Sequence, residues 1–305
     1  MQTSQTVATT ASIFLLLLAG YATKRLGILK ASDARVVNAL VVNLTMPAFI
    51  FVSIHRKPIT PEMVHAPVAG FVMEMVVMGL AYAAARLLRL DRRTTGALML
   101  VSAFGNTGFL GYPVVTAAFN RNKSALLSAV MFDEFAMALA LNSIGVVVAV
   151  SFSGAQTNWN CVFEFLKSPL FPATVVSLLL RNTELPGFLT AALQYLAAGT
   201  VPLAMISIGL SLSAGAVKDH PAAIAAALVL KMAVLPILVW LALTVLGITG
   251  IVKQVAVLES AMPPAVFSGV VAGRFGVNGT FAAAAIFVLT LCSIVLIPVT
   301  LLLIV

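Results

Sequence analysis

The chain has 305 residues, of which 61% are hydrophobic and only 9% charged, and its mean hydropathy is +1.09. Soluble proteins carry about 25% charged residues, so a water-facing surface is excluded and lipid is the solvent that matches this composition. The net charge of +8 does not point to nucleic acid, because most Lys and Arg fall in short turns between apolar runs, where they set orientation in a bilayer.

Ten apolar segments follow one another at 8–24, 36–54, 66–88, 95–119, 124–152, 163–181, 190–213, 221–247, 252–273 and 280–304. A membrane-spanning helix takes about 20 apolar residues. Only helices or closed barrels satisfy their backbone inside hydrocarbon, and these runs are too long for barrel strands. The predicted fold class is therefore an all-α integral membrane protein with ten transmembrane helices. The first run has no cation before it and Lys24 and Arg25 after it, the reverse of a secretory signal, so it is expected to be a retained helix with its N-terminus outside. That placement puts eleven Lys and Arg on the cytoplasmic side and six on the other. The bias predicts both termini outside a plasma (inner) membrane. Cys161 and Cys292 stand far apart with no His or Cys at metal-ligand spacing, so no disulfide, metal or cofactor is expected.

The halves 1–155 and 156–305 read as two five-helix repeats. Segment two carries Asn43-Leu44-Thr45-Met46-Pro47 and then Ser53-Ile54, and segment seven carries Gly199-Thr200-Val201-Pro202 and then Ser207-Ile208. Five helices per repeat require inverted topology. Segment four is interrupted by Gly105-Asn106-Thr107-Gly108-Phe109-Leu110-Gly111-Tyr112-Pro113, and its counterpart, segment nine, by Glu259-Ser260-Ala261-Met262-Pro263-Pro264. Gly and Pro are the residues that cost a helix most, so both helices are expected to open. Paired interruptions in two inverted halves are the sequence pointer to a secondary transporter's binding site. Freed backbone groups, the Asn106 amide, the Thr107 hydroxyl and Ser260 would line it, with Gly108, Pro113, Pro263 and Pro264 shaping the backbone. Pro263-Pro264 would begin a half-helix whose N-terminus favours an anion. Gly269 and Gly273 read as packing residues.

Charged residues inside apolar runs are costly and mark function by default. At about 1.5 Å per residue, Glu74 lies roughly 12 Å into segment three and Lys231 roughly 15 Å into segment eight, which predicts a pair near the midplane. Asp133 and Glu134 are neighbours on segment five, about 100° apart around the helix, so only one is expected to face the site. Glu259 stands beside the second break, as a coupling-ion ligand, a proton acceptor or a cap for exposed N–H groups. His55, His65 and His220 fall in or beside loops. No phosphate-binding loop, HExxH pattern or Ser–His dyad falls at membrane depth, so no enzyme is expected.

The pattern of Asn106, Thr107, Gly111 and Pro113, together with Pro263-Pro264 and the ten-segment plan, resembles the auxin efflux carrier family, which includes bacterial malonate and malate permeases. The resemblance covers the whole chain. It implies a homodimer, a scaffold of segments 1, 2, 6 and 7, a moving transport unit of segments 3–5 and 8–10, and carboxylate recognition near the first crossover, at Asn106. The long central loop of the plant long-form carriers is absent, since about ten residues join segments five and six. The sequence therefore predicts a secondary transporter of a small organic anion such as malonate or malate, with coupling by proton or sodium. The alternatives are a sodium-coupled carrier of a larger amphipathic anion, as in bile-acid-type symporters, and a channel or non-transporting sensor.

Overall fold

The computed structural model describes residues 2–154, 169–211 and 219–304. Cys161, Lys167 and Lys218, the join between segments five and six, and the boundary between the two expected repeats lie outside them. Among the described residues the chain is helical, with no strand and one isolated antiparallel bridge. Six stretches among the described residues are long and apolar enough to cross a membrane: Ala31–Ile54, Glu62–Leu87, Lys123–Ser153, Gly187–Ser211, Pro221–Val245 and Gly279–Ile304. Expected segments four and nine are each divided into two helices, and segment six is described as Leu170–Leu179.

Helix boundaries follow the residues that favour them. Asp91 caps α5 (Arg92–Ala103), its carboxylate accepting from the N–H groups of Arg93 and Thr94 at 2.9 and 3.1 Å, as an N-cap acid does. Pro221 stands in the first turn of α11 (Pro221–Val229), where the missing N–H costs nothing; Pro47, in α3 (Met46–Ile54), falls inside the continuous Ala31–Ile54 stretch, just after a wide turn at Val41–Thr45. Gly154 and Gly276 close α8 (Val146–Ser153) and α14 (Val266–Phe275) in the left-handed conformation, which only glycine adopts without strain.

The chain forms two compact units, each discontinuous in sequence. The first consists of the described residues of 1–60, 108–130 and 166–212. It holds α1 (Gln2–Arg25), α2 (Ala34–Leu40), α3, α6 (Tyr112–Ala118), α9 (Leu170–Leu179) and α10 (Gly187–Ser211), plus most of α7 (Lys123–Phe132). Here α10 packs against α1, α2, α3 and α6. The crossing with α1 is backbone-close: a Cβ at Gly209 would stand 2.1 Å from the Leu17 carbonyl oxygen, and one at Gly20 would stand 2.3 Å from that of Ile206. Small residues allow this approach in membrane helices.

The second unit consists of the described residues of 61–107, 131–165 and 213–305. It holds α4 (Glu62–Leu87), α5, α8, α11, α12 (Leu235–Val245), α13 (Gly250–Ser260), α14 and α15 (Gly279–Ile304), with wide π-turns at Asp133–Ala138 and Leu230–Val234. Its core packs α4 and α5 against α8, α11, α14 and α15, around residues such as Leu98, Phe104, Leu141 and Leu289. Gly269 faces the Ile286 side chain of α15, 2.8 Å from where a Cβ would stand, which agrees with its reading as a packing residue; Gly273 meets Gly279 across the α14–α15 corner.

Candidate functional site: a pair of opened helices

Helix α5 stops at Ala103, and the chain becomes extended at Phe104, with φ −95° and ψ 123°. It turns helical again at Thr107. Helix α13 stops at Ser260 and α14 starts at Val266. The two openings meet, with Gly105 and Pro264 forming the antiparallel bridge. Asn106 N–H donates to the Pro263 carbonyl at 2.7 Å, and Ala265 N–H donates to the Phe104 carbonyl at 3.0 Å. The bonds flank the bridge, so Pro264 needs no N–H of its own. Backbone groups freed by breaking one helix are thus satisfied by the other.

Two details differ from the sequence expectation. The first opening covers three residues, and Gly108 and Gly111 lie in a π-turn, Thr107–Gly111, that runs into α6. Pro113 stands in the first turn of α6, where proline is compatible with a helix. Pro263 and Pro264 precede α14 and do not form its first turn; Ala265 is the N-cap and offers no side-chain bond. The physical reason is that a proline drives the residue before it to extended backbone, so the Pro-Pro step suits the bridge.

Around the bridge the second unit gathers ionisable and polar side chains, all buried. Asn106 is 4% exposed, and its Nδ2 has no partner among the described residues. Thr107 donates its hydroxyl to Asp133 Oδ1. Asp133 therefore points to the opening; Glu134 is buried as well. Lys231, fully buried on the π-turn of segment eight, donates to the Ser260 carbonyl at 2.6 Å. The Ser260 hydroxyl is spent on the Val257 carbonyl at 2.7 Å.

The expected Glu74–Lys231 bridge is not closed: among the described residues no carboxylate oxygen lies within 4.0 Å of Lys231. The reason is local, since α13 ends with an unsatisfied carbonyl that takes the ammonium. Glu74 remains in electrostatic reach of Lys231 and Asp133, and Glu259 in reach of Asp133 and Lys231. Glu74 Oε2 and both Glu259 carboxylate oxygens have no hydrogen-bond partner among the described residues. One cation thus serves several buried acids. Thr107, Asp133 and Lys231 sit on wide turns, which recur at functional sites in helices.

Two contributors escape a reading of residue types. Gly105 makes room for the lysine, because a Cβ there would stand 3.1 Å from Lys231 Nζ and 3.3 Å from its Cε. Ser102, fully buried on the last turn of α5, has an unpartnered hydroxyl among the described residues; its position one turn before Asn106 is the signal that could have found it. The histidines lie outside the cluster. His55 bonds the Thr183 carbonyl at 2.9 Å, His220 stands edge-on to Phe281, and His65 is exposed.

An all-helical chain with several membrane-length apolar helices is a multi-pass membrane protein, and two helices opened at a buried polar cluster suit one that handles a solute. The chain belongs to the membrane transport protein family, whose pattern matches residues 6–160 and 139–301; this is the auxin efflux carrier and malonate permease-like family that the sequence resembles. It is similar to an uncharacterized transporter of Methanocaldococcus jannaschii, 31% identical over 294 residues that cover 93% of this chain and 94% of the relative. An uncharacterized transporter of Methanothermobacter thermautotrophicus is 30% identical, with 95% of each chain covered. A Rhizobium meliloti protein named "putative malonate transporter" is 26% identical over 92% of this chain and 90% of its own. Family and relatives are transporters, not enzymes.

Proposed function

We propose that the protein is a secondary transporter of a small organic anion, a mono- or dicarboxylate such as malonate or malate. Ten spans would be arranged as two inverted five-helix repeats whose fourth and ninth helices cross at the paired openings. The observation that carries this reading is the bridge between Gly105 and Pro264, with the Asn106 amide unpartnered beside it. An unsatisfied amide at such a place is a donor in wait for an acceptor. A carboxylate placed there could accept from Asn106 Nδ2 and from the uncapped N–H groups at the start of α14.

Charge supplies the case for coupling. Glu74 and Glu259 share one ammonium, Lys231, so an anion entering with both ionised would meet net negative charge at low dielectric. Protonation of one or more acids, or entry of a sodium ion, removes that conflict and ties anion movement to a cation. The proposed transport cycle is of the elevator type, in a homodimer in the plasma (inner) membrane with both termini outside. In this cycle segments 1, 2, 6 and 7 serve as the scaffold and segments 3–5 and 8–10 move; the compact grouping of residues 108–130, parts of segments four and five, with the first unit departs from that division.

Counterflow in proteoliposomes tests the reading. Vesicles loaded with unlabelled malonate, malate or succinate should take up the labelled anion transiently, and an imposed proton or sodium gradient should drive accumulation. A current with no counterflow would replace the carrier by a channel, and binding with neither would leave a sensor.

A further inference from the structure

A second feature lies within the first unit and touches the opened helices only at Thr116 and Ala117, the end of α6 away from the opening. A cavity of about 850 Å³ opens among the ends of α3 and α6, the start of α7 and one side of α10. Phe49, Leu126 and Leu193 contribute apolar wall, while Arg56, Lys57, Arg121 and Lys123 contribute four cations; among the described residues no Asp or Glu lines it. Arg56 is answered by Glu184 at 2.8 Å, across side chains that are 54% and 90% exposed. The other three have no carboxylate within 4.0 Å among the described residues.

Cations at helix C-termini answer the helix dipole, and that accounts for Arg56 and Arg121 as chain-end residues. It does not account for the crowding. The Lys57 ammonium is held below its ordinary value first by burial and then by the charge of Lys123, and both lysines line the cavity. Backbone conformation adds an independent observation. Arg56, Asn120 and Arg121, all lining the cavity, have φ of 57°, 50° and 57°. Asn adopts this region readily and Arg56 is paired with Glu184, but Arg121 occupies a left-handed turn that glycine would fill more easily, which recurs where a side chain is used.

We propose that this cavity binds an amphipathic anion, its oxyanion head held by Lys57, Arg121 and Lys123 and its apolar body laid against Phe49, Leu126 and Leu193. A carboxylate or phosphate head would place negative charge between the two lysines and relieve their repulsion. Two sources share this chemistry: an acidic phospholipid drawn from the bilayer, and a water-soluble alkyl carboxylate.

Binding is read with no transport step, so the outcome does not depend on the proposed function. The purified full chain in phosphatidylcholine nanodiscs is titrated with decanoate, and the detergent-solubilised chain is mixed with phosphatidylglycerol and examined by native mass spectrometry. At least one probe should bind, more weakly at high salt. Lys57→Gln combined with Lys123→Gln should weaken it tenfold or more, and Lys253→Gln, outside the cavity, should leave it unchanged. Arg121→Gln combined with Lys123→Gln provides a second pair at exposed positions in case the first does not fold. Decanoate binding alone identifies a soluble ligand; phosphatidylglycerol binding alone identifies a lipid. The proposal is overturned if neither probe binds, or if both charge-removed variants bind as the wild type does.

Discussion

In the second unit Lys231, the one fully buried cation among the described residues, is spent on the Ser260 carbonyl while Glu74 and Glu259 stand within its electrostatic reach and Asp133 within reach of both acids. In the first unit Lys57, Arg121 and Lys123 ring a cavity with no acid among its described lining residues. One region thus has surplus acid in a dry interior, and the other has surplus base around an opening. Membrane interiors penalise uncompensated charge, which is the ground for the proposed coupling at the buried acids; those three cations of the first unit stand at helix ends, two of them exposed, and carry the separate proposal of an anion there.

The comparison is broken most severely by removing the buried cation. Lys231→Met leaves the buried Ser260 carbonyl without its charged donor, a loss of about 1–3 kcal/mol, and removes the cation in electrostatic reach of Glu74 and Glu259. Thermal unfolding of the detergent-solubilised protein should show it. Adding Glu74→Gln should recover part of the loss, because one stranded charge is removed; strictly additive losses would mean that the two are uncoupled. In the first unit no charge substitution should rival the close α1–α10 crossing. Gly209→Val must push on the Leu17 carbonyl and not on a flexible side chain, at a cost of about 1–3 kcal/mol or more.

Smaller effects sharpen the contrast at the helix ends. Asp91→Ala should cost about 1 kcal/mol by removing the cap of α5. Burial raises the Asp91 carboxyl, but the bonds from Thr94 and Arg93 outweigh it and hold the group below the ordinary value of 3.8. A depressed acid stabilises the fold above its unfolded value and loses that contribution as pH falls through the folded one. The wild-type advantage over Asp91→Ala should therefore fade below pH 3.8. Lys57 has the opposite sense. Its lowered value means that the charged form opposes folding at neutral pH, with stability recovered as pH rises toward 10.5. Lys57→Gln should thus be neutral to slightly stabilising at pH 7, within about 0.5 kcal/mol, and any gain should vanish above pH 10.5.

Helix type and the positions of both openings were legible because Gly, Pro and unbroken apolar runs act locally. The width of the first opening was not, since the π-turn at Thr107–Gly111 absorbs two glycines without ending the helix. Depth arithmetic brought Glu74 and Lys231 within reach, yet it could not show that a carbonyl three-dimensionally adjacent, that of Ser260, would take the lysine. Gly20 and Gly209 gave no signal because their partners are backbone atoms distant in sequence. The compact units likewise cut across the sequence halves, with 108–130 grouped with the chain's first sixty residues; contacts between distant segments decide that grouping.

The claim that Asn106 holds the transported anion is tested most directly by labelled malonate counterflow with Asn106→Ala in proteoliposomes. Losing a hydrogen bond to a charged group costs about 1.5–3 kcal/mol, so apparent affinity or exchange should fall by about tenfold or more, with yield and thermal stability near those of the wild type. Wild-type exchange and affinity in this variant would contradict the account.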